Sequence, residues 1–112
     1  MLPRVKKIYL NKDFERVFKT GRSIYGRFLG VKIIKNDLDY SRFGLILGLK
    51  IDKSAVNRHR LKRLVFTALE RKVKKLPFFA DCVIIALPLI KTAKLVDVEA
   101  DFENIFSKIR KK

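Results

Sequence analysis

Hydrophobic positions follow two different periods along this chain. In three segments, apolar residues recur at the three- and four-residue spacing of a helix that buries one face. This spacing predicts a short helix over residues 11–20, a long helix over about 55–74 and a last helix from residue 97. Asn11 and Asp97 have the side chains expected of N-caps for the first and last of these helices.

Shorter apolar runs predict strands between the helices. Residues 23–34 and 43–49 together provide three strands, and the run 43–49 is expected to be central and buried. Residues 81–87 form one more buried strand, which Pro88 ends. With residues 1–10 as an extended arm, the order α-β-β-β-α-β-α predicts a single α/β domain over residues 1–112, an α+β sandwich of helices packed on a sheet.

The composition adds a strong constraint on the partner. The chain has 48% hydrophobic residues, enough for a modest core, and a formal net charge of +16 from 27 Lys and Arg against 11 acids. Such an excess implies an anionic partner, either nucleic acid or an acidic membrane surface, and its concentration in residues 1–35 and 50–75 suggests one extended binding face.

Other features bear on the compartment in which the chain works. The longest apolar run, Val83 to Ile90, is too short to span a membrane, and the N-terminus has no signal-peptide pattern. A single cysteine, Cys82, cannot form an internal disulfide and is expected to be inert core in a reducing, cytoplasmic setting.

The most informative segment is the basic start of the long helix. If Ser54 caps that helix, Arg58 and Lys62 stack one turn apart, as do His59 and Arg63, while Arg60 points to another side. Packing does not explain so many cations, whereas an RNA backbone does. The residues expected to bind RNA are Lys53, Arg58, His59, Arg60, Lys62 and Arg63.

The spacing Ala-Val-x-Arg-x-Arg-x-Lys-Arg over residues 55–63 resembles the basic signature of the protein subunit of bacterial ribonuclease P. The chain has Arg58-His59-Arg60 where the family has Arg-Asn-Arg. Two further segments are similar to the family in the right order, Leu2-Pro3 with Asp13 to Ser23, and Gly44-Leu45 with Lys50 and Lys53 to Val56. The resemblance implies a fold shared with the second domain of ribosomal protein S5, including a left-handed βαβ crossover where the general expectation is right-handed.

The resemblance also implies partners and chemistry. Members of that family assist a catalytic RNA that removes the 5′ leader of precursor tRNA, and Mg²⁺ is held mainly by the RNA. No homo-oligomer of the protein is required for this role. The implied cleft for the unpaired leader lies between the first helix and the sheet. The residues expected there are Phe14, Phe18, Arg22, Phe28, Lys32 and Lys50. Core packing is the alternative interpretation of Phe14 and Phe18, and Phe28 and Lys32 are expected to share one face of a strand.

The sequence offers no catalytic group of its own. His59 lacks an orienting partner and a nucleophile, and one His with one Cys cannot form a zinc site. Asp97, Glu99, Asp101 and Glu103 are expected to form the outer face of the last helix. The family often has basic or polar residues where this chain has Gly48-Leu49 and Leu87-Pro88, so Lys91 and Lys94 are candidates to replace those contacts. A ribosomal or ribosome-assembly RNA-binding protein is the alternative function.

Overall fold

The computed structural model describes residues 6–8 and 11–109, which form five strands and three α-helices. The predicted order α-β-β-β-α-β-α is confirmed, with one short strand added within the segment expected to be an extended arm. The elements are β1 (Lys6–Lys7), α1 (Asn11–Thr20), β2 (Arg22–Tyr25), β3 (Leu29–Lys35), β4 (Arg42–Ile46), α2 (Ala55–Lys72), β5 (Ala80–Ala86) and α3 (Leu95–Ser107). Two short 3₁₀ helices, Val73–Lys75 and Pro88–Thr92, precede and follow β5.

The strands form one mixed sheet in the order β1-β4-β5-β3-β2. β5 is central and runs parallel to β4 and antiparallel to β3, while β1 runs parallel to β4 at one edge. The strand following the long helix is therefore the centre of the sheet, and β4 is not. β4 is nevertheless an interior strand between β1 and β5, and Phe43 is fully buried, so a buried strand is confirmed here. The predicted end of this strand at residue 49 is wrong, because β4 ends at Ile46 and Leu49 is exposed.

The helices lie on both sides of this sheet. α2 and α3 cover one face and enclose the principal core, in which Cys82 and Ile84 of β5 are fully buried, as expected for Cys82. Alternate residues of β5 point to the other face, where Val83 packs with Val17 of α1 and Ile8. We refer to these as the α2–α3 face and the α1 face.

A buried carboxylate fastens α1 to its face of the sheet. Asp81 is fully buried and accepts hydrogen bonds from Arg16 of α1, from Arg42 at 2.6 and 2.9 Å and from Asn36 at 2.9 Å. Burial alone raises the pKa of Asp81, but the hydrogen bonds from Arg42 and Asn36 and the charges of Arg42 and Arg16 bring that pKa below its usual value. The carboxylate therefore stays ionised under the sheet and fixes the position of α1.

The acidic residues of α3 differ from the expectation of an outer face. α3 begins at Leu95, and the Asp97 carboxylate accepts from the Lys94 amide at 2.8 Å from inside the first turn, so Asp97 is not the N-cap residue. Asp101 is buried and accepts from the amides of residues 27, 28 and 29 at 3.0, 2.7 and 3.1 Å. Helical spacing alone does not reveal that a carboxylate ties α3 to the β2–β3 turn.

Candidate nucleic-acid interface

The first turn of α2 is held in place by its own cap, as predicted. The Ser54 hydroxyl accepts from the Asn57 amide at 3.3 Å, and Asp52 accepts from the Ser54 amide at 2.9 Å and from the Asn57 side chain at 3.1 Å. The hydrogen bond from the Ser54 amide lowers the pKa of Asp52. Lys91 lies 3.7 Å from the same carboxylate, so it is partly engaged within the protein.

Arg58 makes contacts within the protein that the sequence did not predict. Its guanidinium donates to three backbone carbonyls of the β4–α2 loop, those of Leu47 at 2.8 Å, Gly48 at 3.1 Å and Asp52 at 3.2 Å. Both terminal nitrogens are used, and the side chain is half-buried. Arg58 thus has a structural role that the sequence did not predict, in which the planar fork of the guanidinium holds the loop against α2, and its contact with RNA stays a prediction.

The other cations of the basic segment are exposed. The apolar stripe of α2, which includes Leu61 and Val65, faces the core, so the polar side of the helix faces solvent. Among the described residues, no hydrogen bond or ion pair engages the Arg60 side chain, and Arg60 lies on a different side from Lys62. The cations that this arrangement presents to solvent are Lys50, Lys53, His59, Arg60, Lys62 and Arg63.

Two adjacent depressions lie where α2 meets the β1 edge of the sheet. One, of about 330 Å³, is lined by the side of α2 that includes His59 and Arg63. The other, of about 250 Å³, reaches Phe14 of α1 and Gly44 of β4. Three residues line both depressions, and we call them the shared wall: Lys7, Lys62 and Phe66.

The shared wall includes two residues that the sequence argument missed. The Lys7 ammonium lies 5.4 Å from the centre of the Phe66 ring, a cation–π distance. Phe66 follows Lys62 by one helical turn, so the helical spacing could have identified it. Nothing near Lys7 in the sequence could have done so, because only the pairing of β1 with β4 brings Lys7 to α2.

The aromatic residues of α1 differ in exposure. Phe14 is half-buried and lies on the backbone of Gly44, where a Cβ atom would be only 2.5 Å from the ring. Phe18 is 37% exposed, and the Lys32 ammonium lies 4.9 Å from its ring centre and donates to its carbonyl at 3.4 Å. Phe14, Phe18 and Lys32 thus lie together on the α1 face, with Phe14 partly a packing residue, as the alternative interpretation held.

Two other residues bear on the predicted leader cleft. Arg22 pairs with Ile33, whose side chain belongs to the α2–α3 face, so the pleat directs Arg22 away from Lys32. Phe28 precedes β3 and packs against the principal core, so the prediction that Phe28 and Lys32 share one face of a strand is wrong.

Tyr25 was not predicted to belong to this surface. Its side chain is 55% exposed and covers Gly30 on the α1 face, where a Cβ atom would lie 2.4 Å from the ring. Among the residues that the structure describes, the exposed rings of this face are therefore Phe18 and Tyr25.

The described residues lack two kinds of feature. Within residues 6–8 and 11–109, no helix is long and apolar enough to cross a membrane. In the same part of the chain, no three His, Cys, Asp or Glu side chains come together as a group that could hold a metal ion.

Comparison with known proteins gives a consistent result. The sequence profile of the Ribonuclease P family matches residues 2–110. The "Ribonuclease P protein component" of Clostridioides difficile is 33% identical over 103 residues, which cover 91% of this chain and 90% of that protein. The protein of the same description from Thermotoga maritima is 37% identical over 82 residues, 73% of this chain and 69% of that one. A solved structure, the RNase P protein from Thermotoga maritima, superposes with a TM-score of 0.82 at 27% identity and covers 95% of this chain and 99% of its own.

Proposed function

The chain belongs to the ribonuclease P protein family, and from this premise we propose that it binds the catalytic RNA of ribonuclease P and the 5′ leader of precursor tRNA. In this proposal the exposed cations of α2 contact the catalytic RNA, and the α1 face holds the leader. The chain promotes the endonucleolytic 5′ maturation of tRNA as a subunit of the ribonucleoprotein, in the cytoplasm.

The shared wall is the observation that supports this proposal. Lys7, Lys62 and Phe66 line both the depression beside His59 and Arg63 and the depression that reaches Phe14. The cations of α2 and the aromatic surface of α1 are therefore neighbouring parts of one surface. A single RNA strand can pass from one to the other without leaving the protein, which two separated patches would not permit.

The described side chains support binding and positioning. Lys62 and Arg63 offset phosphate charge, and the exposed Phe18 ring stacks on an unpaired base of the leader, worth about 1–3 kcal/mol per base. Holding the leader raises the local concentration of the scissile bond at the catalytic RNA. Mg²⁺ held by that RNA supplies the chemistry by activating water and stabilising the developing charge.

The test compares precursor and mature tRNA, because only the precursor has a leader. We expect Phe18→Leu, which keeps apolar volume but removes the aromatic face, to lower the ratio of precursor to mature affinity of the reconstituted holoenzyme by about fivefold or more. Val96→Ala is the control, since Val96 is an exposed apolar residue on α3, which covers the opposite face of the sheet. An unchanged ratio for Phe18→Leu, with folding intact by circular dichroism, would show that the α1 face is not the leader site.

Cleavage assays test the role in the complex. Protein free of RNA is expected to leave precursor tRNA intact, and addition of the protein to ribonuclease P RNA at low Mg²⁺ is expected to increase cleavage. If the protein does not stimulate this RNA and instead co-purifies with ribosomal subunits, the alternative of a ribosomal RNA-binding protein is correct.

A further inference from the structure

One cavity of the protein lies away from the surfaces discussed so far. It measures about 510 Å³ and is formed by the turn between β3 and β4 together with the segment that connects α2 to β5. We call it the distal cavity. α2 separates it from the basic helix start by roughly 27 Å, the length of 18 residues of α-helix. The residues that line it and enter the argument are Asp39, Tyr40, Lys74, Phe78 and Phe79.

Two aromatic side chains at the distal cavity are exposed and are not part of the core. Tyr40 is 38% exposed and Phe79 is 51% exposed, while Phe78 beside them packs against the principal core. Leu38 in the same turn is also exposed. Several large apolar side chains left in solvent at one cavity are typical of a binding site.

The two segments that line the distal cavity are fixed to each other. Asn36 is buried and donates through its side chain to the Tyr40 carbonyl at 3.2 Å, and its backbone amide donates to the Phe79 carbonyl at 3.0 Å. The Ser41 hydroxyl accepts from the Ala80 amide at 3.0 Å. The segments that carry Tyr40 and Phe79 are therefore positioned before a ligand arrives, which reduces the entropic cost of binding.

The polar groups of the distal cavity match those of a nucleotide. The exposed ammonium of Lys74 can contact a phosphate, and the Asp39 carboxylate can accept from a base amino group. Aromatic rings stack on any unpaired base. A second copy of the chain is disfavoured as the occupant, because two chains of net charge +16 repel each other.

We propose that the distal cavity binds an unpaired RNA nucleotide, with its base against Tyr40 and Phe79 and its phosphate at Lys74. This is a second RNA site that the leader-binding surface does not include. A chain with both sites holds two RNA segments at once, one at each end of α2. The distal cavity selects single-stranded RNA, because only an unpaired base can stack on its aromatic rings.

The experiment uses the full chain with RNA pentamers of uridylate, adenylate and cytidylate, followed by backbone amide chemical shifts. An abasic pentamer, which keeps the phosphates but lacks bases, is the control for charge alone. We expect the base-containing pentamers, and not the abasic one, to shift the amides of Tyr40, Lys74 and Phe79. Phe79→Leu is expected to weaken this binding about tenfold, and Lys74→Gln is expected to weaken it and to reduce its salt dependence.

Two controls separate this proposal from the proposed function. Phe18→Leu, which acts on the leader surface, is expected to leave the distal shifts unchanged, so failure at one surface does not imply failure at the other. Tyr40→Leu serves as a second variant if Phe79→Leu lowers the melting temperature. Shifts confined to α2 and the α1 face, equal distal shifts with the abasic pentamer, or a protein partner that covers Tyr40 and Phe79 while the pentamers leave them unshifted would each overturn the proposal.

Discussion

Substitutions of Arg58 and Arg60, two arginines of the basic segment, are expected to have different consequences. Arg58 donates to the carbonyls of Leu47, Gly48 and Asp52, whereas Arg60 is exposed and no intramolecular contact engages it among the described residues. Arg58→Ala therefore removes a structural brace of the β4–α2 loop, and Arg60→Ala removes only a surface charge. The two residues belong to the same sequence motif, so the motif alone does not distinguish them.

The structure sets the size of each effect. A hydrogen bond that involves a charged group contributes about 1.5–3 kcal/mol, but the loop carbonyls freed in Arg58→Ala regain water, so we expect a loss of about 2 kcal/mol in the free energy of unfolding. Arg60→Ala is expected to change stability by less than about 0.5 kcal/mol, as is usual for an exposed position. Arg58→Lys is not expected to restore stability, because an ammonium is a compact point charge without the planar fork of a guanidinium.

Two measurements on each variant test this reasoning. Urea unfolding followed by circular dichroism gives the stability, and binding to the catalytic RNA over a range of salt concentrations gives the slope of log K against log salt. For Arg60→Ala we expect the slope to become shallower by about 0.7–0.9, the effect of one phosphate contact. For Arg58→Ala we expect weaker binding with the slope unchanged. Full stability of Arg58→Ala together with a shallower slope would show that Arg58 binds phosphate and that its contacts to the loop are unimportant.

Three further predictions concern the sheet. Asp81→Asn is expected to lose about 3 kcal/mol of unfolding free energy at neutral pH, since it removes the buried carboxylate that pairs with Arg42 and leaves the half-buried Arg42 with Asp13 as its charged partner. Because the pKa of Asp81 is lowered by folding, its contribution is present above about pH 4 and is lost as the pH falls through the folded-state pKa, so urea titrations of wild type and variant should converge in acid. Gly44→Ala is expected to cost about 1–3 kcal/mol by displacing the Phe14 ring, and a double-mutant cycle with Phe14→Leu should recover most of that cost; full additivity would contradict the contact. Burial raises the pKa of the Cys82 thiol, so iodoacetamide should label it only after denaturation, and rapid labelling of the native protein would show that the thiol is accessible.

Local patterns predicted the helices and the order of the elements, because spacing and caps depend on nearby residues. Ser54 is at the start of α2, and the stripe that begins at Leu61 is buried. The sequence could not show that β5 is the centre of the sheet, since its pairing with both β3 and β4 joins residues far apart in the chain. It also could not divide the cations into those bound within the protein, such as Arg58, and those exposed to solvent, such as Arg60, because both have the same local sequence signal.

The central position of β5 in the sheet has a consequence for co-translational folding. β3 and β4 follow each other closely in the chain, but they are not neighbours in the sheet, because β5 is inserted between them. Until residues 80–86 have left the exit tunnel, β3 and β4 each keep an unpaired edge, and the cationic α2 has no complete sheet to pack against. Completion of the sheet therefore depends on β5, which joins β3 and β4 through contacts between residues far apart in the chain.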